Sequence, residues 1–138
     1  ATGATGNAAY FAMEVMLSDP GGAALAAKTS VAMVRIPSIL NGKNLTSVAA
    51  SVTTVSSSGT PTVDINRSRR TNATTRSVVS MLSTKLTLDA SEFDSSDAAT
   101  AAVIDTANDD VNTGDLLIFD IDAAGTGAKG LTVELVFG

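Results

Sequence analysis

The sequence predicts an all-β fold, an antiparallel β-sandwich of seven or eight short strands. Apolar and polar side chains alternate in several segments, and successive side chains of a strand point to opposite faces. Each such segment therefore has one apolar face that must pack against a second sheet. Turn signals recur at intervals near ten residues, a spacing typical of a sandwich or a small barrel.

The clearest segment is residues 114–138, where the pattern indicates two strands joined by a glycine-rich loop. We expect a closing hairpin here. A two-stranded hairpin is marginally stable alone in water, so the upstream chain must supply the other strands and the opposing layer. The apolar positions of this segment are Leu117, Phe119 and Ile121, then Leu131, Val133, Leu135 and Phe137.

Composition limits the chemistry that this chain can perform. At 138 residues the chain suits a single domain that buries about two thirds of its unfolded surface. Cysteine and histidine are absent, which excludes disulfides, thiol chemistry, histidine acid–base catalysis and the ordinary zinc sites. The net charge of −5 gives no general attraction to nucleic acid or to an anionic membrane. We expect no cofactor and no resident metal.

The first half of the chain is predicted to contain an arm and three strands. Residues 1–7 carry only small side chains, so we expect a flexible N-terminal arm that a partner can order. The apolar residues 8–17 include Glu14 and are shorter than the ~20 residues that span a bilayer, so no membrane anchor is expected. The predicted elements are a strand or short helix at residues 8–17, a turn at residues 18–22, and strands at residues 31–36 and 45–55.

The second half alternates strands with polar loops. The predicted strands are residues 62–66, 78–88 and 101–104, separated by loops at residues 67–76, 89–100 and 105–114. With the closing pair, these segments complete the sandwich. We divide the chain into residues 1–30, the arm and first strand, and residues 31–138, the sandwich domain.

From residue 31 onward, the order of segments resembles a jelly-roll β-sandwich that recurs in virion proteins of tailed bacteriophages. The resemblance covers about three quarters of the chain. The segments that carry it are TVDIN at residues 62–66, MLSTKLTLDASE at 81–92, AAT at 98–100 with VI at 103–104, FDID at 119–122 and GAKGL at 127–131. The chain departs from the family pattern at residues 67–80, where a short turn is replaced by a longer, arginine-rich segment.

The resemblance implies a non-enzymatic structural protein of the virion, often a homotrimer. Two functions follow from it. The first is a capsid decoration or cement protein that binds the outer surface of the major capsid shell and stabilises it. The alternative is a tail-fibre or appendage module that recognises the host surface. Residues 1–30 contain neither heptads nor a repeat that would form a fibre shaft, so we favour the decoration protein.

The arginine-rich segment, residues 67–76, is predicted to be a long, exposed loop with four of the nine basic residues. Guanidinium groups pair well with carboxylates, so the loop suits docking to an acidic neighbour, including the acidic loops of a second subunit. A solvated loop is the alternative, and the absence of interleaved aromatics argues against nucleic acid. The candidate interaction residues are Arg67, Arg69, Arg70 and Arg76, together with Tyr10 and Phe11 beside the arm.

Carboxylates concentrate in the other half of the sequence, with ten of fourteen between residues 89 and 122. Carboxylate and carbonyl oxygens are the ligands of calcium, although the spacing is not that of an EF-hand and a solvated loop is the default interpretation. The calcium candidates are Asp105, Asn108, Asp109, Asp110, Asn112 and Asp115. Paired carboxylates are also typical of glycoside hydrolases, and the candidates for such a pair are Glu92, Asp94 and Asp97. The absence of tryptophan argues against a sugar-processing cleft, and we expect no enzyme.

Overall fold

A computed structural model describes residues 10–138, and within that range the chain forms strands and two short 3₁₀ helices. Every pairing between the strands is antiparallel. The strands are β1 (Phe11–Met16), β2 (Lys28–Arg35), β3 (Leu45–Ser51), β4 (Thr62–Arg70), β5 (Arg76–Ser80), β6 (Leu82–Thr84), β7 (Leu86–Thr87), β8 (Val103–Ile104), β9 (Leu116–Ala123) and β10 (Thr132–Phe137). The 3₁₀ helices are Ser38–Leu40 and Ser95–Asp97.

The strands form two main sheets. The three-stranded sheet has the order β1-β10-β3, and the five-stranded sheet has the order β2-β9-β4-β5, with β7 paired to the start of β4. Strands β6 and β8 form a separate two-stranded pair. No helix within residues 10–138 is both long and apolar enough to cross a membrane.

Both sheets direct apolar side chains into one continuous core, so the predicted β-sandwich is confirmed. Alternation explains the pattern, because one face of each inner strand is buried and apolar while the other carries residues of mixed polarity. The three-stranded sheet contributes Val15, Ala50, Val133, Leu135 and Phe137. The five-stranded sheet contributes Val63, Ile65, Leu117, Phe119 and Ile121.

The predicted closing hairpin is wrong. Strands β9 and β10 are buried as expected, but they belong to different sheets, and residues 124–131 cross from one sheet to the other. This crossing is held by backbone hydrogen bonds, including Thr53 N to Lys129 O at 2.9 Å and Leu17 N to Leu131 O at 2.8 Å. A period of two tells which face of a strand is buried, and it carries no information on which neighbour the strand pairs with.

Other predicted elements are adjusted at their ends. The segment 8–17 is a strand within the described range, and the turn at residues 18–22 is confirmed by a hydrogen bond from Gly22 N to Asp19 O of 3.2 Å. The predicted strand 78–88 is divided into β5, β6 and β7. The boundary predicted after residue 30 lies inside β2, and the arm, residues 1–7, lies outside the described residues.

Candidate functional site

The residues predicted to contact a partner lie at one end of the sandwich. In the five-stranded sheet this end carries the tip of the β4–β5 hairpin, where Arg70 is opposite Arg76. In the three-stranded sheet it carries Phe11, opposite Phe137, and the neighbouring Tyr10. We name this region the arginine end.

The loop of residues 105–115 connects the two sheets at the arginine end. Asn44, just before β3, forms an isolated β-bridge with Asp110. On the other sheet, Ile36 N donates a 2.8 Å hydrogen bond to Asp115 O. The acidic loop is therefore bound to one sheet near its middle and to the other sheet at its end.

Arg67 extends inward from β4, on the same face as Val63 and Ile65 but beyond the apolar core. Its side chain is only 10% exposed. Nη1 of Arg67 donates to Asp110 Oδ1 at 2.8 Å and to the Asp110 carbonyl at 2.7 Å. Burial of this guanidinium is partly compensated by one carboxylate and two backbone carbonyls of the loop, whereas its Nε has no hydrogen-bond partner within residues 10–138.

Arg69 faces the same way and binds two carboxylates of the loop. Its Nη2 donates to Asp115 Oδ2 at 2.8 Å, its Nε donates to Asp115 Oδ1 at 3.1 Å, and its Nη1 donates to Asp110 Oδ2 at 2.9 Å. Asp115 is 2% exposed and also accepts a 2.8 Å hydrogen bond from Asn112 N. This two-point guanidinium–carboxylate contact fixes both the distance and the orientation of the loop relative to β4.

These contacts shift the pKa values of two of the partners. Partial burial of Asp110 favours its neutral form, but the hydrogen bond from Arg69 and the charges of Arg67 and Arg69 outweigh burial and hold the pKa of Asp110 below its ordinary value. The hydrogen bond to Asp115 raises the pKa of Arg69 above its ordinary value. Both Asp110 and Arg69 are therefore charged at neutral pH.

The predicted exposed loop at residues 67–76 is wrong. The segment is the β4–β5 hairpin, and only residues 71–75 form its turn, closed by Thr71 N to Thr75 O at 3.0 Å. Two of its arginines, Arg67 and Arg69, bind acidic residues of their own chain. The error arose because charge was taken as a sign of exposure, although carboxylates elsewhere in the sequence were available to pair with an inward guanidinium.

The other four predicted contact residues, like Arg69, have exposed or half-buried side chains. Arg70 and Arg76 are exposed and form no ion pair with any residue of 10–138. Tyr10 is 64% exposed, and the half-buried Phe11 has the Lys43 ammonium 5.4 Å above its ring centre. Because Arg70 and Arg76 lie on the outer face of the five-stranded sheet, while Tyr10 and Phe11 begin the other sheet, these residues define two different surfaces.

The calcium candidates do not gather around a common point in the described chain. Asp110 and Asp115 bind arginines, and Asp105 accepts hydrogen bonds from Ala107 N at 3.0 Å and Asn108 Nδ2 at 2.8 Å. Within residues 10–138, no three acidic side chains are close enough together to hold a metal ion. The description as a solvated acidic loop is also incomplete, because two of its carboxylates are in ion pairs.

The glycosidase candidates lie beside β3, at the opposite end from Tyr10. Asp94 accepts a 2.6 Å hydrogen bond from Ser51 Oγ and a 2.9 Å hydrogen bond from Ser96 N, and so begins the 3₁₀ helix Ser95–Asp97. These hydrogen bonds lower the pKa of Asp94, and the bond from Ser51 has the largest effect. A general acid needs a raised pKa, so Asp94 is suited to a structural role.

Sequence reasoning missed the pairing partners of the inward arginines. Asp110 and Asp115 were considered as calcium ligands, as solvated groups or as part of an acidic loop that meets the arginines of a second subunit, and both have an arginine of their own chain as their main contact. The parity of β4 contains the signal, because Val63, Ile65, Arg67 and Arg69 are all odd-numbered and share one face of the strand. If the predicted strand is extended beyond residue 66, this alternation places Arg67 and Arg69 on the inner face.

The fold and the arginine end define an all-β sandwich with one end stabilised by partly buried ion pairs. No protein-family model, no curated protein and no solved structure matches this chain at a significant level. The resemblance to phage virion proteins stays a prediction from the sequence, and the function must be argued from the site.

Proposed function

We propose that this protein is a non-enzymatic structural protein of a virion, a decoration protein that binds the outer surface of the major capsid shell and stabilises it. The observation that carries the proposal is the aromatic and cationic surface at the arginine end, formed by the exposed Tyr10 and the half-buried Phe11 and Lys43. Tyrosine contributes large contact area at low entropic cost and is frequent among the residues that dominate binding.

The strand order supports the jelly-roll part of this proposal. In a jelly roll the chain alternates between two sheets, so the first strand pairs with the last and the second pairs with the next to last. Here β1 pairs with β10 and β2 pairs with β9. Residues 93–95 contact the free edge of β3, through Val52 N to Phe93 O at 2.9 Å, and take the remaining position of the three-stranded sheet.

The shape of the surface supports a binding protein more than an enzyme. The groove at the arginine end, lined by Arg69, Arg70 and residues 112–115, has a volume of about 260 Å³. Small-molecule sites usually enclose about 300–1,000 Å³. The candidate carboxylates Asp94, Asp110 and Asp115 already have hydrogen-bond partners within the chain.

The arm gives the proposed contact a second component. Residues 1–7 closely precede Tyr10 in the sequence, and Tyr10 lies at the arginine end. A segment of small residues that orders on binding loses entropy but reaches a neighbouring subunit. We therefore assign the arm, Tyr10 and Phe11 to the contact with the shell.

The first test is immunogold labelling of purified virions with antibody against this protein. Label spread evenly over the heads supports the decoration function. Label only at the tail or fibre ends refutes it in favour of host recognition, and no label on virions refutes both.

The second test measures rebinding to shells stripped of the protein. Tyr10→Ser should weaken binding about 30-fold, the effect of losing about 2 kcal/mol from a dominant aromatic contact. Phe93→Ser is the matched control, because Phe93 is an aromatic of similar exposure, 59%, at the opposite end of the sandwich. Equal binding of the two variants would remove the arginine end from the contact.

A further inference from the structure

The outer face of the five-stranded sheet carries two pairs of like charges, one pair positive and the other negative. Arg70 lies directly opposite Arg76 on β5, and Asp64 lies directly opposite Asp120 on β9. Residues directly opposite each other in an antiparallel pair share a face, and like charges in such positions repel. The face therefore has a positive end and a negative end.

Arg35 adds to the positive end. It is opposite Leu116, on the outer face, and its Nη2 lies beside Gly114. Arg35, Arg70 and Arg76 form no ion pair with any residue of 10–138, and residues 1–9 include no acidic residue. Their charges are available to a partner.

The negative end is only partly neutralised. Lys85 binds Asp122 and lies 4.0 Å from Asp64, whose side chain is only 12% exposed, so one ammonium is shared by two carboxylates. Asp120 accepts hydrogen bonds from neutral groups, Asn66 Nδ2 at 2.9 Å and a backbone N–H at 2.7 Å, which leave its negative charge in place. An excess of negative charge remains.

A mainly apolar strip lies between the two charged ends. Met33 on β2 is 59% exposed, Val78 on β5 is 58% exposed, and Leu116 and Ile118 on β9 are half-buried. Asn66 and Ser68 on β4 face the same way and interrupt the strip with polar groups. From the row of Leu116 to the row of Asp122 is six residues along β9, or about 20 Å. The same face is thus positive, mainly apolar and negative in that order.

We propose that this face binds a second copy of the chain, with the strands of the two copies running in opposite directions. The two-fold axis lies in the plane between the two faces and runs perpendicular to the strands. This symmetry puts Arg35, Arg70 and Arg76 of one copy over the acidic end of the other. The strips around Met33 then meet each other. One surface is complementary to itself in this arrangement, as a two-fold interface requires.

The size of the face sets the expected affinity. Four strands at about 4.8 Å spacing span roughly 19 Å, and with a length of about 20 Å the contact is smaller than the ~800 Å² per partner of a standard interface. An interface of this size belongs to the weak, transient class, so association must be measured up to high protein concentration. The dimer differs from the trimer that the family resemblance implies, and the two states are distinguished by mass.

Sedimentation equilibrium of the full chain from about 1 to 200 µM tests the proposal. We expect a monomer–dimer equilibrium that weakens between 50 mM and 500 mM salt, because the exposed charge pairs are screened. Met33→Glu should shift the dissociation constant at least tenfold. Met16→Glu is the matched control, since Met16 is equally exposed, 62%, on the outer face of the other sheet, and should leave the dimer unchanged.

Arg70→Glu is a second variant, and it should weaken the dimer at least tenfold without changing the far-ultraviolet spectrum. A monomer at every concentration, a trimer mass, or loss of association in Met16→Glu but not in Met33→Glu would each overturn the proposal.

Discussion

Replacing Asp115 by asparagine tests whether the ion pairs hold the loop of residues 105–115 against β4. Asparagine keeps the shape of the side chain and removes its charge. Arg69 then loses a two-point carboxylate contact, and Asn112 N faces an amide where it had a carboxylate oxygen. The guanidinium of Arg69 cannot release its proton, so its charge remains without this counter-ion.

The expected cost is about 3 kcal/mol of the free energy of unfolding. Removing one partner of a buried pair typically costs about 3–5 kcal/mol. We expect the lower end of this energy range, because the side chain of Arg69 is 28% exposed and keeps its 2.9 Å contact with Asp110. For a chain of 138 residues this corresponds to a fall of about 10 °C in the thermal midpoint.

Urea unfolding followed by circular dichroism measures the change, with Asp109→Asn as the control. Asp109 lies in the same loop, and its carboxylate makes no hydrogen bond or ion pair within residues 10–138. The control should change stability by less than about 0.5 kcal/mol. If Asp115→Asn is within 1 kcal/mol of the control, the ion pairs are not what stabilises the arginine end.

The remaining predictions concern acid and backbone geometry. Folding lowers the pKa of Asp110 and the pKa of Asp94. Both ionised carboxylates therefore stabilise the folded protein at pH values above the ordinary aspartate pKa, near 3.9. This stabilisation is lost as the pH falls from about 5 through the lowered pKa values of the folded state. Asp110→Asn should flatten that part of a stability–pH curve measured by urea unfolding, and an unchanged slope would contradict the assignment. Gly130→Ala should cost about 3 kcal/mol, because φ is +69° and the new Cβ would overlap the side chain of Thr53. Gly127→Ala, at φ +80° with open space around it, should cost only about 1 kcal/mol, and equal losses in the two variants would show that the contact with Thr53 is unimportant.

The sandwich could be predicted because its buried strands alternate cleanly. Leu117, Phe119 and Ile121 were assigned to the core from parity alone, and each is nearly or fully buried. Strand partners could not be predicted in the same way. The pairing of β9 and of β10 depends on contacts between residues far apart in the sequence, and a sequence pattern with a period of two is equally compatible with any neighbour.

The candidate site was predicted only in part. Arg70 and Tyr10 are exposed, as residues that contact a partner must be. Arg67 was placed in a loop because a buried arginine is rare, and burial is possible only because Asp110 comes from a loop some forty residues later. Composition identifies the charges, whereas the fold decides which of them neutralise each other.

The pairing of β1 with β10 has a consequence for synthesis of the chain. Strand β10 is the centre of its sheet, so until residues 132–137 have left the ribosome β1 has no partner in that sheet and β3 is paired only with residues 93–95. Folding that depends on contacts so distant in sequence is slow, on the order of milliseconds to seconds for β-sandwiches. Meanwhile the apolar faces of the earlier strands are open to aggregation, so nascent chains truncated before β10 should be the forms that chaperones retain.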